Sequence, residues 1–208
     1  MLKLTDLEKR IIDISYKKGL SHVGSCLSAV AAIDNCYASM RDGDKFILSN
    51  GHAFLALAVV LEKYKGLDAE KLADEHGTHP VKNLSEGIFV STGSLGQGLP
   101  IAVGMAIADK SHDIYVVTSD GEMNEGSMWE ALRIAGEQRL ENLRITVVAN
   151  GYSAMGRVDT DILDTRMQMF YPSLVLKTDI FKYPECLQGL RGHYQVLTKE
   201  MYEEITNG

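Results

Sequence analysis

Two oxygen-bearing side chains with regular spacing stand out in this chain. Asp120 lies in Ser119-Asp120-Gly121-Glu122-Met123-Asn124-Glu125-Gly126, and Asn150 lies in Ala149-Asn150-Gly151-Tyr152, 30 positions further on. Asp120 offers a hard anionic oxygen and Asn150 a neutral one. Magnesium prefers oxygen ligands in an octahedron and fills its shell with phosphate oxygens and water. Gly121 lets the backbone come close to a phosphate, and a helix beginning just after it presents free N–H groups. The residue types therefore suit a magnesium–diphosphate pair.

The flanking sequence predicts what must hold these tips. Ile114 to Thr118 is β-branched and aromatic, a buried strand. Trp129, Leu132 and Ala135 step at helical spacing after Gly126, and Arg144 to Ala149 reads as a second buried strand. Strand, glycine turn, helix and strand place both tips at carboxyl ends of strands, where open parallel sheets bind ligands. Upstream, Thr5 and Glu8 form a capping box, Leu7, Ile11 and Ile14 give one apolar face, and Gly19 ends that helix. Lys45 to Leu48 reads as a strand entering the tight turn Ser49-Asn50-Gly51-His52. An apolar helix follows from Ala53 to Tyr64, closed by Gly66, and Asp68 caps a short one from Ala69 to Glu75. Phe89-Val90-Ser91-Thr92 leads into Gly93, Gly96 and Gly98, then a buried helix to Asp109. Further on, a helix is expected over 159–170, strands over 173–178 and 194–198, and a closing helix over 199–205.

With those motifs in view, the sequence resembles the transketolases, especially the amino-terminal halves of those split into two chains. Asp-Gly-Glu-x-Asn-Glu-Gly-x-x-Trp-Glu-Ala and Thr-Gly-Ser-Leu-Gly-Gln-Gly carry the resemblance. It extends over roughly Asp6 to Arg157, with Ser119 where the family has glycine. It implies an α/β thiamine-diphosphate-binding fold, with a mostly parallel central sheet and helices on both faces. It implies thiamine diphosphate as cofactor, with a metal (Mg²⁺, or Ca²⁺ or Mn²⁺) held by Asp120, Asn150 and the backbone carbonyl of Tyr152. His52 would meet the diphosphate. Gly93, Ser94, Leu95, Gly121, Glu122 and Asn150 would line the cofactor. His22 takes the place of a substrate-facing histidine, with Val23 where proline is usual. His79 would contact the donor sugar, although Thr78 intervenes between it and Gly77. Glu125 would lie at a subunit interface and hydrogen-bond toward the catalytic glutamate of the other domain; a carboxylate there also suits a helix N-terminus. His193 matches a further substrate-facing histidine if a deletion precedes Ser173.

The resemblance accounts for one diphosphate-binding domain over 1–208, shortened at its carboxyl end, and for no pyrimidine-binding domain. It therefore implies a separate partner subunit carrying that domain, two copies of each in a heterotetramer, and a sugar substrate. The expected reaction moves a two-carbon ketol unit from a ketose to an aldose, the acceptor being a specialised or nucleotide-linked sugar. Two alternatives stay open: a non-catalytic or regulatory subunit that keeps the fold, and a subunit of another thiamine-dependent lyase or dehydrogenase. The net charge of −7 and pI near 5.4 argue against nucleic acid and anionic membrane as main partners. No signal peptide or membrane-spanning run is read. Three cysteines without metal spacing suit a reducing cytoplasm.

Overall fold

The computed structural model describes residues 3–207. Its helices are α1 (Asp6–Lys18), α2 (Val23–Ser39), α3 (Phe54–Lys65), α4 (Ala69–His76), α5 (Gly98–Ala108), α6 (Gly126–Glu137), α7 (Thr160–Phe170), α8 (Gly189–Tyr194) and α9 (Lys199–Asn207). Strands β1 (Lys45–Leu48), β2 (Ile114–Ser119), β3 (Leu143–Ala149) and β6 (Leu174–Lys177) form one sheet in the order β1-β2-β3-β6, every pairing parallel. A small hairpin, β4 (Tyr152–Ser153) with β5 (Gly156–Arg157), stands apart from it.

Alternation along the strands divides the core in two, because successive side chains point to opposite faces. Phe46, Leu48, Val117 and Val148 pack with α1, α2, α3 and α4 on one face. Ile47, Ile114, Val116, Ile145 and Val147 pack with α5, α6 and α7 on the other. Both faces are covered, as parallel sheets require. The fold class is the one the sequence predicts.

The capping box at Thr5 forms as expected: the Glu8 amide donates to Thr5 Oγ1, and Glu8 accepts from the Thr5 amide at 2.8 Å. Glu8 does more than cap. Its buried carboxylate also accepts from Lys182 Nζ at 2.9 Å and from the Tyr183 hydroxyl, which fastens the carboxyl-terminal segment to α1.

Two local expectations need correction, and one helix was not anticipated. Residues 194–198 are not a strand: α8 ends at Tyr194 and the chain runs irregularly into α9. Val196-Leu197 looks strand-like, but a strand exists only if another pairs with it, and here Leu197 alone is buried while Val196 is exposed. The sequence does not separate α2 from the motif before it, since the Ala-rich run of this helix is apolar nearly all round and lacks a helical stripe. Finally, α5 is not buried throughout. Ile101 and Ile107 are 39 % and 42 % exposed, and with Gly104 they form a small apolar stripe facing out.

Candidate active site

The loops leaving β1, β2 and β3 meet at the carboxyl end of the sheet. They wall a cavity of about 360 Å³ together with the N-terminus of α2 and the segment 180–193. That size suits a small organic ligand.

The loop after β1 is a close-fitting turn. A Cβ on Gly51 would sit 2.6 Å from the Thr92 carbonyl, so only glycine fits. Thr92 Oγ1 donates to the Leu48 carbonyl at 2.7 Å, which binds the glycine-rich loop to the end of β1. This turn presents Asn50 and His52. After β2, Asp120 is 1 % exposed; it accepts from its neighbour Gly121 N at 2.9 Å and from Gly151 N at 2.7 Å. The second bond laces the β2 and β3 loops together. Asn150 Oδ1 accepts from Tyr152 N at 3.0 Å, and the Tyr152 carbonyl lies 3.4 Å from where a Gly121 Cβ would stand. Ser119, where the resemblance leads one to expect glycine, braces the turn, because its hydroxyl accepts from the Glu122 amide at 3.2 Å.

Imidazoles meet across the cavity, His52 from the β1 turn and two others from the opposite wall. The ring centroids of His22 and His193 are 4.3 Å apart, those of His52 and His193 5.0 Å, and those of His22 and His52 5.5 Å. Ser25 Oγ lies 3.0 Å from His193 Nδ1, and the His22 amide donates to the His193 carbonyl at 2.9 Å. His22 sits in the left-handed region with φ of 65°, a conformation that favours glycine and costs free energy for histidine.

Burial tunes these groups. It pushes His22 down to about 4 and His52 down to about 3, with neighbouring histidines adding to the effect, and it lowers His193 as well. All three imidazoles are therefore neutral at pH 7 and can accept a proton. Burial pushes Asp120 up to about 6, against the pull of its backbone N–H donors.

Most residues singled out in the sequence converge here. His22, His52, His79 and His193 line the cavity, as do Gly93 and Leu95 of the glycine loop. Asp120, Gly121, Glu122, Glu125, Asn150 and Tyr152 line it from the β2 and β3 side. Ser94 does not: it is exposed and outside the wall. The Glu122 carboxylate is wholly buried and taken up by neighbouring loops. Among the wall residues that sequence reasoning misses are Ser25 and Asn50. Asn50 is 1 % exposed, and its Oδ1 is buried without a hydrogen-bond partner. Its place in the Ser-Asn-Gly-His turn is the available signal.

These residues fit a metal-bound diphosphate. Asp120, Asn150 and the Tyr152 carbonyl would offer only oxygens, the donor type hard cations take. Asn50 is a buried amide still short of a partner, a state that folded proteins rarely leave unanswered.

The profile of the family "Transketolase, thiamine diphosphate binding domain" matches residues 19–173. The chain belongs to this family. It is 34 % identical over 174 residues to an apulose-4-phosphate transketolase subunit of Phocaeicola vulgatus, covering 73 % of this chain and 60 % of that protein. It is 35 % identical over 157 residues to a 6-deoxy-6-sulfo-D-fructose transketolase subunit of a Clostridium species, covering 66 % of this chain and 57 % of the relative. It thus spans about three fifths of the length of these relatives. Among solved structures, transketolase of Pichia stipitis superposes with a TM-score of 0.72 at 24 % identity, over 98 % of this chain and 40 % of that one. Transketolase of Campylobacter jejuni gives 0.71 at 22 % identity, over 97 % and 43 %. At that identity the superpositions speak for the fold, which is that of transketolases.

Proposed function

We propose that this chain is the amino-terminal, diphosphate-binding subunit of a two-component transketolase. With a second subunit carrying the pyrimidine-binding domain, it transfers a two-carbon ketol unit from a ketose to an aldose. The observation that carries the reading is the charge inside the cavity. The carboxylates of Asp120 and Glu125 line it, and among the described residues no lysine or arginine does. An anionic cofactor enters such a place only with a cation, and Asp120, Asn150 and the Tyr152 carbonyl supply oxygens for one. That argues for a divalent metal, Mg²⁺ by the hardness of the ligands.

Thiamine diphosphate, when bound, supplies the carbanion chemistry for breaking and making the carbon–carbon bond. The chain's own residues bind and shuttle protons. Asp120, Asn150 and Tyr152 hold the metal, and Gly121 admits the phosphates. His52, neutral through burial, donates one N–H to the diphosphate. His22, His79 and His193 face the sugar, where His22 and His193, kept neutral by burial, accept hydroxyl protons and return them. Glu125, at the cavity rim, reaches for the partner's catalytic glutamate. Gly93 and Leu95 pack on the cofactor rings.

The partner covers the apolar stripe of α5 at Ile101 and Ile107, and part of α6 beside it. A stable interface of this kind is large and apolar at its centre. Two copies of each chain make the assembly, which works in the cytoplasm. The substrate is a specialised sugar, since the relatives' names specify apulose-4-phosphate and 6-deoxy-6-sulfo-D-fructose. The test mixes this chain with its partner subunit, Mg²⁺, thiamine diphosphate, a ketose donor and an aldose acceptor. Ketol transfer by the pair and none by either chain alone is the expected result. Turnover by the lone chain, or none by the pair with any ketose offered, would sink the reading.

A further inference from the structure

Glu122 sits two residues after Asp120, and its side chain turns inward rather than toward a ligand. It is 0 % exposed, and no cationic side chain pairs with it among the described residues. Its Oε1 accepts from Ser49 Oγ at 2.7 Å and from Gly96 N at 2.9 Å; its Oε2 accepts from the Thr118 hydroxyl. Each donor belongs to a different stretch of the wall. Ser49 begins the turn that presents Asn50 and His52. Gly96 lies in the loop that presents Gly93 and Leu95. Thr118 is in β2, the strand that leads into Asp120.

The surroundings leave these loops little freedom of their own. A Cβ on Gly98 would meet Ser49 Oγ at 2.5 Å, and one on Gly96 would meet Ser127 Oγ at 2.5 Å and Glu125 Cβ at 2.7 Å. Ser127 Oγ in turn donates to the Gly96 carbonyl at 2.7 Å. The three loops are in contact already, and one carboxylate ties them at their common centre. A buried carboxylate is costly unless donors satisfy it, so loss of any one loop position also leaves this group short of a bond. Loop positions become mutually dependent.

We propose that Glu122 is a positioning residue: it touches no ligand, and it fixes His52, the glycine-rich loop and Asp120 relative to one another so that the cavity is formed before the cofactor arrives. The proposal rests on the cofactor reading above. It depends on acceptor geometry and not on charge. A glutamine would keep one carbonyl oxygen for Ser49 and Gly96, and its amide would donate to Thr118 Oγ1, whose hydroxyl can reverse its role.

The test uses the full chain in three forms, wild type, Glu122→Gln and Glu122→Ala. It reads the hydrogen-exchange protection of the Gly96 amide without ligand, and the affinity for thiamine diphosphate with Mg²⁺ by calorimetry. Glu122→Gln keeps Gly96 protected and binds within about threefold of wild type. Glu122→Ala loses the protection and binds at least about tenfold more weakly. If Glu122→Ala does not fold, Ser49→Ala removes only the His52 arm; it should weaken binding severalfold while Gly96 stays protected. Unchanged Gly96 exchange in Glu122→Ala, unchanged affinity in the folded variants, or a glutamine variant as weak as the alanine one would overturn the proposal. Failure of the wild type to bind the cofactor would instead remove the cofactor reading, and the exchange of Gly96 would still decide whether Glu122 ties the loops.

Discussion

The cavity has two walls of different construction. The first is made of loops that leave neighbouring parallel strands: the β1 turn with His52, the β2 turn with Asp120 and the β3 turn with Asn150. Strand pairing brings these tips together, and backbone N–H groups lock them, as Gly151 N does to Asp120. The second wall joins the start of α2 to the end of α8, 168 positions apart in sequence, through Ser25 and His193. No sheet enforces that contact. It depends on tight packing, in which a Cβ on Gly24 would lie 2.8 Å from the Leu187 carbonyl and 3.1 Å from that of Gly192. The first wall holds groups suited to a metal and diphosphate, and the second holds imidazoles suited to hydroxyls. Binding and substrate handling are thereby separable by mutation.

The largest separation comes from Asp120→Ala. It should weaken metal-dependent thiamine diphosphate binding at least about 100-fold, beyond the roughly 10–100-fold typical of groups one shell further out, with an unchanged circular dichroism spectrum. Cofactor retention at normal affinity would break the comparison at its first wall. Gly24→Ala attacks the second wall. Overpacking against two carbonyls should cost about 1–3 kcal/mol of stability, seen as a lower melting temperature. Cofactor affinity should hold within about twofold while sugar turnover with the partner falls; a parallel loss of both would merge the two walls into one unit.

Asn50→Leu sharpens the first wall through opposite signs. Removing a buried amide oxygen that lacks a partner should raise the ligand-free melting temperature by about 2–4 °C. The same change should weaken cofactor binding about tenfold, because the amide finds its partner in the ligand. A melting temperature that drops, with binding intact, would show Asn50 to be structural. The smallest effect is in pH. His22 and His52 have depressed values in the fold, so above about 6.5 they are neutral in both states and stability is full. As pH falls from 6.5 toward about 4 and about 3, the unfolded chain takes up protons that the fold refuses, and stability drops. A His22→Gln, His52→Gln double variant should flatten that part of the stability curve; an unchanged slope would place the acid sensitivity elsewhere.

Much of this was legible in the chain itself. The β-branched runs at Ile114–Thr118 and Arg144–Ala149, the capping box at Thr5 and Glu8, and the glycines beside Asp120 and Asn150 depend on neighbours within a few residues. Periodicity and turn chemistry are local, and the amino-acid order records them directly. So the strand-end placement of Asp120, Asn150 and His52 followed from sequence, while a sheet covered on both faces was what the family resemblance implied. Tertiary structure alone decided the rest. It brought His193 against His22 and His52, turned Glu122 inward to join three loops, and left one stripe of α5 uncovered. It also made a helix of 189–194 and left the chain after it irregular, where a strand was expected over 194–198. These outcomes depend on which distant surfaces meet, and a contact across 168 positions leaves no periodic trace in the residues that make it.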